Sequence, residues 1–202
     1  MSIRLLLADD QALVRGALAS LLELEPDMEV VAEVGRGDEI VAAARASTPD
    51  VALVDVEMPG LDGIAATAEL KAAMPEVKVL VVTTFGRPGF LRRAMQAGAN
   101  GFVVKDTPAR QLADAVRRVH AGLRVVDPAL AADSLASGES PLTARETEVL
   151  RAARGGGSVS DIAKFVHLSE GTVRNHLSAA IGKTMARNRA DAVRIADESG
   201  WL

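Results

Sequence analysis

Five short aliphatic runs constrain this chain most. They are Ile3–Ala8, Met28–Val34, Val51–Val54, Lys78–Val82 and Gly101–Val104, rich in Val and Leu and largely apolar on both faces. A strand that is apolar on both faces has to be covered on both, as the central strands of a parallel sheet are. Between the runs lie amphipathic, Ala-rich segments: Ala12–Leu24, Asp38–Ala46, Gly63–Ala73 and Gly89–Ala97, with Thr107–Ala121 after the last run. Gly98 closes one helix, Pro75 follows another, and Asp62-Gly63 opens a third, each a helix boundary signal. Five β-α units of this kind predict an open parallel five-stranded sheet with helices on both faces over residues 1–121.

The pattern then changes. Residues 122–138 have no clear period and contain Asp127-Pro128, Ser134, Ser137 and Gly138. They read as a linker, with a helical turn at Pro128–Leu135. From Ser140 the signal is purely helical. Thr143 followed by Glu146 is a capping box that opens a helix over Thr143–Ala153, and Gly155-Gly156-Gly157 ends it. Ser158–Val166 is a short helix. His167-Leu168-Ser169 is a turn, with Ser169 as N-cap. Gly171–Thr184 and Arg189–Ser199 complete a small all-α domain over residues 139–202.

Composition narrows the chemistry. The 202 residues hold no Cys, which excludes disulfides, thiol catalysis and Cys-ligated zinc, and suits a reducing compartment. The three His, at 120, 167 and 176, are too scattered for a metal site. No apolar stretch approaches the roughly 20 residues that span a bilayer, and the N-terminus begins a strand-like segment without a signal-peptide layout. The expectation is a soluble, cytoplasmic protein. Net charge is −4, which argues against DNA binding for the whole, but the charge is unevenly shared. Residues 1–138 carry 14 Lys and Arg against 19 Asp and Glu, and residues 139–202 carry 9 against 8. The helical domain can therefore still meet DNA if its cations share a face.

In an open α/β sheet, ligands bind beyond the carboxyl ends of the strands. Asp9-Asp10 end the first strand, Asp55 ends the third, Thr83 the fourth and Lys105 the fifth. Three acids, a hydroxyl and an ammonium therefore converge on one edge. Three uncompensated carboxylates repel one another, and a hard divalent cation with oxygen ligands, such as Mg²⁺, resolves this. A carboxylate beside Mg²⁺ can act as nucleophile toward a phosphoryl group. Lys105 would neutralise the incoming charge, and the Thr83 hydroxyl could donate to a phosphoryl oxygen.

These residues, with Met58-Pro59-Gly60 after Asp55, resemble the two-component receiver domain, a flavodoxin-like α/β fold. The resemblance implies that Asp55 is the phosphoacceptor, that Asp9 and Asp10 are metal acids, and that the Glu57 backbone carbonyl is a further ligand. Phe102 matches the aromatic residue that rotates when the switch hydroxyl moves. Plainer readings stand beside these. Asp10 could be only a helix cap, Thr84 competes with Thr83 by one place, and Phe102 could be a core residue. Phe85, two residues after Thr83, is an apolar ring where some receivers place a polar group; it would slow loss of the phosphoryl group by hindering water.

Over residues 140–202, "PLTARETEVL", "DIAKFVHLSEGTVRNHLSAAIGKT" and "NRADAV…GWL" resemble the four-helix LuxR-type helix-turn-helix domain. With a receiver, that is the NarL/FixJ class of response regulators. Ala163, Val173 and Leu177 are expected to face the core between scaffold and recognition helices. Arg174, Asn175 and Ser178 would then face the major groove, where Arg suits guanine and Asn adenine. Ser169, Thr172, His176 and Lys183 would meet phosphates. Arg174 and Lys183 could instead be solvated charges, and His176 a packing residue. Gly156-Gly157-Ser158-Val159-Ser160 lacks a cation usual before the scaffold helix, and Met185 stands where Gly is common. "TTFGRPGF", "LLELEPDMEVV" and "LSEGTVRN" are similar to the DesR group of that class, which implies a kinase sensing membrane state and a lipid desaturase among the targets.

The class resemblance implies a regulator that takes a phosphoryl group from a sensor histidine kinase, forms a homodimer and binds promoter DNA. Two other classes compete. An aspartyl-phosphate phosphatase on a related fold usually carries Asp-x-Asp on the first strand, whereas here the acids there are adjacent and the candidate nucleophile is on the third. A constitutive or ligand-gated DNA-binding protein would bind DNA without regard to phosphodonors.

Overall fold

The computed structural model describes residues 2–84, 88–127, 130–132 and 140–202. The chain divides into two compact units, the first built from most of residues 2–132 and the second from residues 140–202.

The first unit is a parallel sheet. Its strands are β1 (Ile3–Ala8), β2 (Met28–Val34), β3 (Val51–Val54), β4 (Lys78–Thr83), β5 (Gly101–Val104) and β6 (Val125–Val126), in the order β2-β1-β3-β4-β5-β6. The expected five strands are all present. The sixth is a correction: Val125 and Val126 pair with Gly101 and Phe102, in a segment read from sequence as linker. Two residues are too few to show a period, so no sequence pattern marks them.

Helices α1 (Ala12–Glu23), α2 (Ile40–Ser47), α3 (Gly63–Ala73), α4 (Pro88–Gln96) and α5 (Ala109–His120) connect the strands. The helix expected over Asp38–Ala46 begins as a 3-10 turn at Gly37–Glu39 before α2. The strand pleat divides the core in two. Leu6, Ala8, Ala52, Val54, Val79 and Val81 pack with residues of α2, α3 and α4. Leu5, Leu7, Val51, Leu53, Leu80 and Val82 pack with residues of α1 and α5. Adjacent residues of each strand thus serve opposite layers. This explains why β3, "VALV", is buried at all four positions. With almost no aromatic residues, the layers are held mainly by aliphatic contact; Phe90 of α4 and Phe102, fully buried at the start of β5, are buried among them.

The second unit holds α6 (Ala144–Ala153), α7 (Val159–Phe165), α8 (Glu170–Lys183) and α9 (Arg189–Glu198). Each starts on a side-chain cap. Thr143 and Glu146 form the expected capping box, Ser158 and Asp161 form a second, Ser169 accepts from the Thr172 amide, and Asn188 accepts from the Asp191 amide. Leu150, Ile162, Val173, Leu177, Ala192 and Ala196 fill the core between them. The expected helical turn at Pro128–Leu135 falls mostly outside the described residues; Leu130–Ala132 is helical. Among the described residues, no helix is long and apolar enough to cross a membrane.

Candidate functional site

Strand order reverses at β1: the chain moves from β1 outward to β2 on one side and returns to β3 on the other. A crevice opens at such a point, beyond the carboxyl ends of the strands. β1 and β3 pair in register, Ala8 beside Val54, and the Asp55 amide donates to the Ala8 carbonyl at 2.8 Å. The residues that follow the two strands, Asp9 and Asp55, therefore emerge side by side. Each is only 3% exposed. Asp10, exposed, completes the group, and one carboxylate oxygen from each of the three lies within 4.8 Å of the others.

Lys105 enters from β5. Its amide donates to the Thr83 carbonyl, which sets the residue after β5 level with the end of β4. Its ammonium lies 2.7 Å from Asp9 Oδ2 and 2.8 Å from Asp55 Oδ2. The second oxygens are also engaged. Asp9 Oδ1 accepts the Gln11 amide, and Asp55 Oδ1 accepts the Val56 amide at 2.7 Å. Burial pushes the Asp55 carboxyl above the usual carboxylate range; Lys105 opposes this and the Asp9 charge adds to it. The Lys105 ammonium is itself held above its ordinary value, because the two carboxylates outweigh its desolvation.

The donor set fits a divalent cation. Two buried acids and one exposed acid share a pocket with one ammonium, so a net negative charge remains, and carboxylate oxygens are the ligands a hard cation takes. Asp10 makes this more than an ion pair, because it adds a third acid that Lys105 does not bind.

Thr83 is buried at the end of β4, and Thr84 is exposed just beyond it. Glu57 is exposed on the loop after Asp55. Phe102 lies in the core layer with Val81, Phe90 and Leu91. Phe85 lies outside the described residues. Three further groups hold the site, and no motif announces them. Arg15 Nη1 from α1 donates to the Asp9 carbonyl. The Val56 amide fixes one Asp55 oxygen. Gly63, the first residue of α3, approaches so closely that a Cβ there would lie 1.7 Å from the Asp55 carbonyl oxygen. Asp62 caps the same helix by accepting from the Ile64 and Ala65 amides.

In the second unit, Val173 and Leu177 of α8 and Ala163 of α7 are buried together, as expected. Arg174, Asn175 and Ser178 are exposed on the opposite face, with Ser169 at the helix start; Thr172 and His176 are half-buried. Ser169 Oγ and Thr172 Oγ1 are hydrogen-bonded. Lys183 also makes a contact within the unit. Its ammonium lies 2.8 Å from Glu146 Oε2, so it braces α8 on the capping box of α6. Lys183 and Thr143 hold the Glu146 carboxyl below its ordinary range despite burial.

Comparison with known proteins agrees with both halves. Residues 5–117 match the response regulator receiver domain, and residues 140–196 match the bacterial regulatory proteins of the luxR family. Among curated relatives, the uncharacterized transcriptional regulatory protein YvfU of Bacillus subtilis is 44% identical over 200 residues, covering 99% of this chain and all of that protein. The transcriptional regulatory protein DesR of the same organism is 42% identical, covering 99% of each. Among solved structures, the response regulator ChrA of a heme-sensing two-component system is 34% identical with a TM-score of 0.60, covering 100% of this chain and 99% of that one. RcsB of Salmonella enterica bound to promoter DNA shares the fold, with a TM-score of 0.73 at 23% identity over 98% of this chain and 99% of that one.

Proposed function

The chain belongs to the response regulators that join a receiver domain to a LuxR-type DNA-binding domain, and from that premise we propose that Asp55 accepts a phosphoryl group from a histidine kinase and that this controls promoter binding. The family is one of transcription regulators and not of enzymes. The observation that carries the proposal is the Lys105 bridge: one ammonium spans two buried carboxylates on adjacent strand ends.

Asp9, Asp10 and Asp55 would hold Mg²⁺, with the Glu57 carbonyl as a further ligand. Bound there, the ion would neutralise charge on the acids and on the phosphoryl oxygens. The chain's own groups do the rest. An Asp55 oxygen attacks phosphorus as the bond to the donor histidine breaks, and the histidine leaves with the electron pair. The Val56 amide fixes the carboxylate's direction, and the close approach of Gly63 to the Asp55 carbonyl fixes the backbone beneath it. Lys105 gives up its contact with one Asp55 oxygen and turns to the new phosphoryl oxygens. Thr83, or Thr84 beside it, donates its hydroxyl, and Phe102 repacks as it does.

The phosphorylated state pairs as a homodimer. A dimer sets two α8 helices on two half-sites, and linkage makes up for the weak charge of each domain. Arg174, Asn175 and Ser178 read base edges; Ser169, Thr172 and His176 meet phosphates. Lys183 donates one N–H to Glu146 and keeps two for a phosphate. A kinase partner and a DNA target suit a cytoplasmic protein. The chain is about as similar to YvfU, at 44% identity, as to DesR, at 42%.

Intact-mass measurement after incubation with Mg²⁺ and acetyl phosphate tests the acceptor. The expected result is one phosphoryl group per chain, absent in Asp55→Asn. Labelling that persists in Asp55→Asn, or no labelling where a known receiver labels, overturns it.

A further inference from the structure

Residues 139–202 hold nine cations and eight acids. Among the described residues, six of those cations lie in ion pairs: Arg145, Arg154, Arg174, Lys183, Arg187 and Arg194. Little charge is left over for phosphates. One of these pairs lies on the outer face of α8 itself. Arg174 Nη2 donates to Glu170 Oε2 at 2.8 Å, across one helical turn. Both side chains are exposed, Arg174 by 63% and Glu170 by 46%, so the pair is available to a ligand and is not a packing device.

The arrangement is favoured locally. Glu170 is in the first turn, where the helix dipole stabilises an anion, and acid before base at this spacing is the better orientation. The guanidinium has five N–H donors in a planar fork. Glu170 takes one, which leaves donors for a second acceptor.

We propose that Glu170 is a specificity-determining residue: it holds Arg174 in one orientation toward a base edge and cancels the charge Arg174 would offer to every phosphate. This rests on the reading of α8 as the helix that enters the major groove. A lone Arg on a flexible stem binds phosphate at any sequence, and that binding is driven by counterion release. A neutral Glu–Arg pair releases little. A two-donor contact to guanine depends instead on the orientation of the fork, which the pair fixes. Glu170 therefore lowers affinity for DNA in general more than affinity for the right sequence.

Salt-dependent binding of the full chain tests this, using a random-sequence duplex and the best duplex selected from a random pool by the wild-type protein. Glu170→Gln should bind the random duplex roughly threefold or more tightly, with a log–log salt slope steeper by about one. Binding to the selected duplex should rise less, so the ratio of the two falls. Arg174→Met should lower that ratio through loss on the selected duplex. If Glu170→Gln moves both duplexes equally, or neither, while Arg174→Met still loses selectivity, the proposal is wrong and the groove reading stands. If Arg174→Met leaves selectivity unchanged, both fail. Helical content and melting of each variant, measured alongside, separate these outcomes from misfolding.

Discussion

Lys105 and Asp55, fifty residues apart, meet at 2.8 Å because β4 lies between β3 and β5 and all three strands run in the same direction. The same ammonium holds Asp9 at 2.7 Å. Two carboxylates that are each 3% exposed share one cation. Removing it leaves them facing each other in a pocket that excludes most water. Lys105→Met should cost about 3 kcal/mol, the scale for breaking one side of a buried ion pair. Addition of Mg²⁺ should then raise the melting temperature of the variant more than that of the wild type. Thermal unfolding with and without Mg²⁺ measures both.

The Asp55 carboxyl sits above its usual range, chiefly through burial and despite Lys105. The folded state therefore binds this proton more tightly than the unfolded chain does. Ionisation of Asp55 costs folding stability, and the cost builds as pH rises from the ordinary carboxylate range through the raised value. Without divalent ions, Asp55→Asn should melt higher than wild type at neutral pH. The gap should close as pH falls to the point where both states hold the proton. Melting curves across that range decide it; a gap that widens toward low pH would reverse the sign.

Gly63 leaves no room for a side chain. A Cβ there would lie 1.7 Å from the Asp55 carbonyl oxygen, a backbone atom that cannot turn away. Gly63→Ala should destabilise the chain by about 2 kcal/mol, the scale of an overpacked core. It should also slow labelling by acetyl phosphate, because relief of the clash moves the acceptor loop. Urea denaturation and a labelling time course on the same preparation read both effects.

Met185 has φ +52° and is 89% exposed. A left-handed backbone costs a side-chain-bearing residue roughly 1–2 kcal/mol, and this side chain gains little packing in return. Met185→Gly should stabilise the chain by about 0.5–1 kcal/mol, since the freedom glycine adds to the unfolded state offsets part of the gain. Urea denaturation of the two proteins measures it.

Much of this could be read from the residues. The β3 run "VALV" had to be buried on both faces, and its burial follows. Asp9, Asp55, Thr83 and Lys105 each close a strand, so a parallel sheet brings them to one edge. The Thr143–Glu146 box is local in sequence and forms as its spacing requires. What stayed hidden depends on distance or on brevity. β6 is two residues long. Lys183 finds Glu146 across 37 positions, which no spacing rule foresees. Arg15 and Gly63 serve the acids through the Asp9 and Asp55 carbonyl groups, and backbone partners leave no side-chain motif. The Arg174–Glu170 pair was within reach, since acid and base four apart on a helix is a readable pattern.

In the proposed mechanism, the acidic edge of the first unit controls what the second unit does on DNA. Affinity for the selected duplex, measured with and without acetyl phosphate in the presence of Mg²⁺ and with molar mass followed on the same samples, tests it most directly. Labelled wild type should bind about tenfold or more tightly as its mass shifts from one chain to two, and Asp55→Asn should do neither. Full labelling with no change in affinity or mass, or an equal response from Asp55→Asn, would contradict it.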